Sequence, residues 1–310
     1  MSLKRAVFIV ENAYYENKLD YNRYETQINK LVVLCKKILK NEGFNEDNKA
    51  ACNYAIQKLF SDTLKIDDTV NYPFVYDFVD YMGDEDYSKQ FVTKLLNTGK
   101  GQCHSMPLLY LILAQELNTE AYLTIAPAHS YVKYRAGNTL LDFECTNGRQ
   151  TDDKFMMASG YISLEAVKNK IYLAPQTLLQ TITQCMADLA TQYALRYGYD
   201  DYVFKCCNKA LQYNPQCLAA WQNISNLTTA SALRIANKYG NPPLGRLDEH
   251  PDLKNAYVNL TAVYRHLDNL GYLQIPKEDY AKWLQLANRE EQKREQAELN
   301  NKMKNNLKHN

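Results

Sequence analysis

The sequence predicts an α+β domain followed by an all-α helical domain, and three observations carry that prediction. A glycine-flanked loop, Gly99-Lys100-Gly101-Gln102-Cys103-His104-Ser105-Met106-Pro107, runs into the apolar stretch Leu108-Leu109-Tyr110-Leu111-Ile112-Leu113-Ala114, which reads as a buried helix. Residues 122–134 read as a strand interrupted at Pro127 and resuming at His129, followed by a turn at 135–138 and a return strand at 139–146. From about Thr177 onward, apolar and small residues recur at helical spacing.

The elements follow in order. Tyr14–Phe44 reads as helix through Ile28, Leu31, Val32, Cys35, Ile38 and Leu39, and Asn45–Leu64 continues helical through Ala55 and Leu59-Phe60. Residues 1–70 form a helical leading segment of the first domain, whose core spans 71–175. Pro73 breaks the helical pattern. Asp77, Asp80, Asp84, Glu85 and Asp86 gather around Gly83, but their order does not follow a calcium-binding loop, and a solvated loop is expected. Residues 147–153 read as a loop lining a groove, with Asn147 as a candidate substrate contact. Ser163 caps a following helix. The helical domain covers 176–287, and 288–310 is a polar tail, helical or disordered.

A length of 310 residues accommodates two domains. A net charge of +1, with both signs spread along the chain, gives no electrostatic footprint for nucleic acid or an anionic membrane. Glutamates interleave the lysines of the tail, so no nucleic-acid partner is expected there either. No membrane span is found. The first apolar run ends at Glu11, too soon for a signal-peptide core, so the chain reads as soluble and cytoplasmic, with export left open if Met1-Ser2-Leu3 replaces a leader. Eight cysteines without regular spacing are not a disulfide framework, and no zinc-ligand spacing or cofactor motif occurs. Cys35, Cys52, Cys185, Cys206, Cys207 and Cys217 fall in apolar helical patterns and read as small buried hydrophobes.

Cys103 differs from these six. A helix start offers unpaired N–H groups and partial positive charge, which favour a thiolate and an oxyanion developing beside it. His129 is placed to take the thiol proton, and a carboxylate on the next strand to orient His129. Asp142 and Glu144 lie two apart and share a strand face, so either fits that role. Gln102 or Asn97 is a candidate second oxyanion donor.

The order of cysteine at a helix start, histidine on a strand and acid on the next strand resembles the transglutaminase-like superfamily, relatives of the papain-like cysteine proteases. The resemblance covers roughly residues 91–161. The family's acid sits in an Asp-Pro-Thr-like segment about fifteen residues after the histidine. Glu144-Cys145-Thr146 matches that segment, with Glu in place of Asp and Cys in place of Pro, which makes Glu144 the preferred orienter and Asp142 the second choice.

In the helical domain, Ala187 to Leu195, Gly198-Tyr199-Asp200, Ala210-Leu211, Asn214-Pro215 and Ala219-Ala220-Trp221 resemble one tetratricopeptide (TPR) unit over about 186–227. A single such unit cannot bury its face alone and must pack on its neighbours.

The chain thus resembles bacterial proteins that pair a transglutaminase-like domain with a TPR-like one. The resemblance implies thiol acyl transfer on a peptide or protein substrate, with release to water making a peptide or amide hydrolase and release to an amine making a cross-linking transglutaminase. It also implies a protein partner for the helical surface. A non-catalytic peptide-binding module and a scaffold are the readings from other classes.

Overall fold

The computed structural model describes residues 1–158, 160–282 and 285. The expected tail at 288–310 and the end of the expected helix beginning at Asp279 lie outside the described residues.

Three helices open the chain: α1 (Leu3–Tyr14), α2 (Tyr21–Asn41) and α3 (Lys49–Ser61). The first helix was not read from the sequence, and the expected helix over 14–44 begins only at Tyr21. Glu16 and Asn17 adopt left-handed backbone angles, and the Asp20 side chain caps α2 by accepting the Asn22 N–H. Asn48 caps α3 in the same way. Short pairings follow: β1 (Leu64–Ile66) with β2 (Thr69–Asn71), and β3 (Val75–Tyr76) in parallel with β4 (Lys100–Gly101), with α4 (Val92–Thr98) between β3 and β4.

The first core forms around α5 (Ser105–Glu116). Every residue from Ser105 to Ala114 is buried, so this helix is enclosed on all sides rather than on one face. Leu109, Ile112 and Leu113 are fully covered, each worth about 1.5–3 kcal/mol of transfer free energy. α1–α3 pack on one side of α5, with Ile28, Leu39, Ile56 and Leu59 in the same cluster.

An antiparallel meander of four strands packs on the same core: β5 (Ala121–Ala126), β6 (His129–Ala136), β7 (Thr139–Glu144) and β8 (Arg149–Thr151). Two expectations change here. The segment 122–134 is a two-residue hairpin in place of a single interrupted strand: Ala126 pairs with His129, and Ala128 takes a left-handed φ of 53° to close the turn. Residues 149–151, expected in a loop, form the fourth strand through the pairs Glu144–Arg149 and Asp142–Thr151. Gly148 makes this return possible, because a Cβ there would stand 2.3 Å from the Phe60 carbonyl oxygen, at a φ of +68°.

Short helices α6 (Asp153–Met157) and α7 (Leu164–Lys168), the latter capped by Ser163, lead into four longer ones. These are α8 (Leu178–Tyr197), α9 (Asp201–Tyr213), α10 (Leu218–Lys238) and α11 (Pro251–Leu270). Small residues, among them Ala187, Ala190, Ala210 and Ala220, fill the centre and let α8, α9 and α10 approach closely. The helical part is docked on the first core at two places. Gln192 of α8 donates to the Val10 carbonyl of α1, and Tyr172, Leu173 and Leu270 cluster with Ala126 and Tyr131 of the sheet. The N–H groups of Leu173 and Gln176 donate to Ile125 and Leu123, which covers the open edge of β5. The whole is a mixed α/β molecule with small sheets and a helical C-terminal part.

Candidate functional site

Cys103 lies two residues before α5, ahead of the first turn in which the sequence placed it, and His104 occupies the N-cap position. The turn is built by local bonds. The Gln102 carbonyl accepts the Met106 N–H, and the Ser105 hydroxyl accepts the Gln102 N–H. Gly101 is needed for this approach, since a Cβ there would stand 2.7 Å from Met106 and 2.9 Å from Leu95. The Ser130 hydroxyl donates to the Cys103 carbonyl and fastens the loop to β6.

His129 begins β6 directly after the hairpin turn, and its Nε2 lies 2.7 Å from Glu144 Oε2. Both side chains are buried, at 3% and 5% exposure. The Thr146 backbone N–H and hydroxyl donate to the other Glu144 oxygen. With Nε2 engaged by Glu144, Nδ1 is the ring nitrogen left to serve the Cys103 sulfur, with which His129 forms a side-chain hydrogen bond.

The charges in this cluster reinforce one another. Burial pushes the Cys103 thiol up, but the His129 hydrogen bond and the charges on His129 and His104 outweigh it, so the thiol lies below its ordinary value. Burial lowers His129, yet Glu144 and the sulfur hold it up at about 10. Burial also opposes the charged form of Glu144, but His129 and the two Thr146 bonds keep it below the usual carboxylate range. Each of the three shifts therefore favours the thiolate, imidazolium and carboxylate forms over the neutral ones. The other seven cysteines are reduced, and burial pushes each of their thiols up.

The remaining candidates separate. Asp142, second choice as orienter, is taken by Lys133, whose Nζ lies 2.8 Å from it and 2.7 Å from Asp153. Asn97 is exposed at the end of α4, where its side-chain oxygen accepts from Arg23 and Gln27, away from Cys103. Asn147 belongs to the β7–β8 turn, accepting the Arg149 N–H, and does not line the cleft described below. Gln102 is fully buried beside Cys103, and its amide reaches toward the Val79 carbonyl at 3.5 Å. The acidic loop folds on itself: Asp80 accepts the N–H groups of Asp84, Glu85 and Asp86. No cluster of His, Cys, Asp or Glu among the described residues is arranged to hold a metal ion.

Cys103 and His129 open on a cleft of about 670 Å³ between the sheet and the helical part. Amide side chains, including Gln176, Gln184, Asn214, Gln216 and Gln222, are its most frequent polar lining, joined by Lys170 and Lys277, and no carboxylate among the described residues lines it.

No family model matches the chain, and no curated protein matches it. Among solved structures the chain is similar to menin, in a crystal structure described as revealing the binding site for the Mixed Lineage Leukemia (MLL) protein. The identity is 11% and the TM-score 0.37, over 84% of this chain and 65% of that one. The chain therefore spans about two thirds of the length of that protein, and a likeness this distant carries no argument about fold or activity.

Two contributors had no signal in the sequence. His104 pairs with Asp188 of α8 at 3.3 Å and is held above its ordinary value by that carboxylate against the effect of burial, which places a second positive charge near Cys103. Tyr280, 2% exposed, lies against the Cys103 thiol and the Tyr76 phenol. His104 adjoins Cys103 in the chain, but only the docking of the helical part gives it Asp188 as a partner, and the same docking brings Tyr280 to the cysteine. No helix among the described residues is long and apolar enough to cross a membrane.

Proposed function

We propose that the chain is a cysteine-dependent acyl-transfer enzyme with a transglutaminase-like core, acting as a peptide or amide hydrolase through Cys103, His129 and Glu144. The observation that carries this reading is the buried His129–Glu144 contact at 2.7 Å, with the Cys103 thiol hydrogen-bonded to the same imidazole and both opening on one cleft.

In this mechanism the Cys103 thiolate attacks the carbonyl carbon of an amide, and the carbonyl π electrons move to oxygen. The Cys103 backbone N–H is the group placed to stabilise that oxyanion, whereas Gln102 is buried with its amide turned to the Val79 carbonyl and does not line the cleft. The His129 imidazolium gives its proton to the departing amine as the C–N bond breaks, leaving a thioester. Water then attacks the thioester and gives a proton to His129, and the C–S bond breaks to release the acid and restore the thiolate. Glu144 holds the imidazole in one orientation and stabilises the imidazolium that is present before the attack and forms again when water gives up its proton. The helical part, TPR-like in its sequence spacing, supplies the opposite wall of the cleft and a surface for a protein partner.

The test is alkylation of Cys103 by iodoacetamide from about pH 5 to about pH 9, read by mass spectrometry in wild type and His129→Ala. Selective labelling of Cys103 that persists well below pH 8 and is lost in the variant supports the reading. Labelling no faster than that of an ordinary exposed thiol, and unchanged in the variant, overturns it.

A further inference from the structure

We infer that residues 272–282 are an internal strap, a stretch of the chain's own polypeptide that walls one side of the cleft and covers Cys103 with Tyr280 until a polypeptide ligand displaces it. This rests on the cysteine reading above. After α11 ends at Gly271, the chain runs without helix through 272–276 before a short helical turn begins at Lys277. Tyr272, Leu273, Gln274 and Ile275 line the same cleft that Cys103 and His129 line. The strap then delivers Tyr280 to the cysteine: its ring lies 5.9 Å from that of Tyr81, and its phenol lies against the Cys103 thiol. Cys103 retains only 8% exposure.

The attachment is local and releasable. Lys277 Nζ bridges to Asp84 at 2.7 Å, and the Tyr161 hydroxyl donates to Asp279 at 2.7 Å. Lys277 and Asp84 have side chains 69% and 56% exposed, the class of pair that contributes little stability and opens readily. Leu273 and Gln274 are exposed, so the segment between the packed Tyr272 and the buried Tyr280 is held from one face only. The wall it lies on also points to polypeptide as the competing ligand. Glutamine and asparagine side chains carry both a donor and an acceptor, which matches an extended main chain, and the lining lysines, Lys170 and Lys277, with no carboxylate beside them among the described lining residues, disfavour a cationic ligand.

The experiment measures second-order alkylation of Cys103 at about pH 7 in the full chain, with iodoacetamide as the small probe and a polyethylene-glycol maleimide as the bulky one. Tyr280→Ala is expected to accelerate labelling about tenfold or more, with the larger gain for the bulky probe. Lys277→Glu, a surface change that leaves the fold intact, is expected to accelerate it about threefold, and Asp84→Lys added to it is expected to restore the slow rate. Slow labelling of buried Cys35 and Cys145 in the same samples reports that the fold is kept. Unchanged rates in Lys277→Glu overturn the strap, whatever Tyr280→Ala does. Loss of the His129 dependence in every background would instead overturn the cysteine reading, so the two failures are distinct.

Discussion

Glu144 meets His129 at 2.7 Å because of the β6–β7 register. The ladder sets Lys133 opposite Asp142 and Val132 opposite Phe143, which carries Glu144 toward the end of β6 where His129 stands. Alternate residues share a face, so Lys133 and His129 point the same way, as do Asp142 and Glu144. Two bases therefore face two acids, and the register pairs each base with its own acid. A shift of two residues in one direction would set Asp142 opposite Tyr131, the place Glu144 now holds beside His129.

Glu144→Gln tests that pairing. The amide keeps the size of the side chain and removes the charge that holds His129 up at about 10. The imidazolium is then less favoured, the thiolate with it, and alkylation of Cys103 near neutral pH is expected to fall about tenfold. Asp142→Asn is expected to leave the alkylation rate within about a factor of two, because Asp142 is bonded to Lys133. Equal losses in the two variants would remove Glu144 from its role.

The pH profile follows from two opposed shifts. Cys103 is lowered and His129 is raised, so the thiolate–imidazolium pair is populated between the two titrations. An ordinary thiol, with a pKa of about 8.5, loses reactivity about tenfold per pH unit below that value. Alkylation of Cys103 is expected to fall by clearly less than tenfold per unit from about pH 8 down to about pH 6. A tenfold drop per unit across that range, measured by iodoacetamide kinetics, would show that the pair is not formed.

Glu11 gives a stability prediction with a definite sign. Its carboxylate is buried and accepts the Val92 and Thr93 N–H groups at the start of α4. Burial pushes it up to about 7, against the effect of those bonds. The folded state therefore keeps a proton that the unfolded state loses near its ordinary value of 4.5, and stability falls as pH rises between the two. Between about pH 5 and about pH 6.5 the loss is expected to be about 2 kcal/mol, read from urea unfolding midpoints. Of the other shifted groups of the site, lowered Glu144 loses stability only as pH falls below 4.5, raised His129 and His104 lose it only as pH climbs past 6.5, and lowered Cys103 acts in the opposite sense to Glu11, so the Glu11 contribution is read as the difference between wild type and Glu11→Gln. Glu11→Gln should flatten the slope, and a slope that persists in the variant would assign it elsewhere.

Much of this arrangement was written in short-range sequence. The loop into α5, the turn at 137–138 and the positions of Cys103, His129 and Glu144 follow from glycine placement, apolar runs and strand alternation, all of which act over a few residues. Three features could not be read that way. The choice between Glu144 and Asp142 depends on Lys133, a residue across the ladder whose pairing appears only once the register is known. Ala128 closes a hairpin with a left-handed φ, where the interrupting Pro127 suggested one bent strand. His104–Asp188 and Tyr280–Cys103 join segments more than eighty residues apart, and no local pattern encodes such contacts.

Lys133 supplies the last prediction. Its ammonium is buried, 7% exposed, and is bonded to Asp142 and Asp153. Asp153 also accepts from the Tyr131 hydroxyl, so one lysine holds β6, β7 and the start of α6 together. Removing the cation leaves Asp142 half-enclosed without its partner, and burial already raises that carboxyl. Lys133→Ala is therefore expected to destabilise the fold by about 3 kcal/mol in urea unfolding, since breaking one side of a buried pair costs more than the pair contributes. Lys133→Met with Asp142→Leu removes both charges and should recover more than half of that loss. A single variant that costs under about 0.5 kcal/mol would mean that water reaches the pair, and the register argument for Glu144 would lose the lysine that keeps Asp142 away from His129.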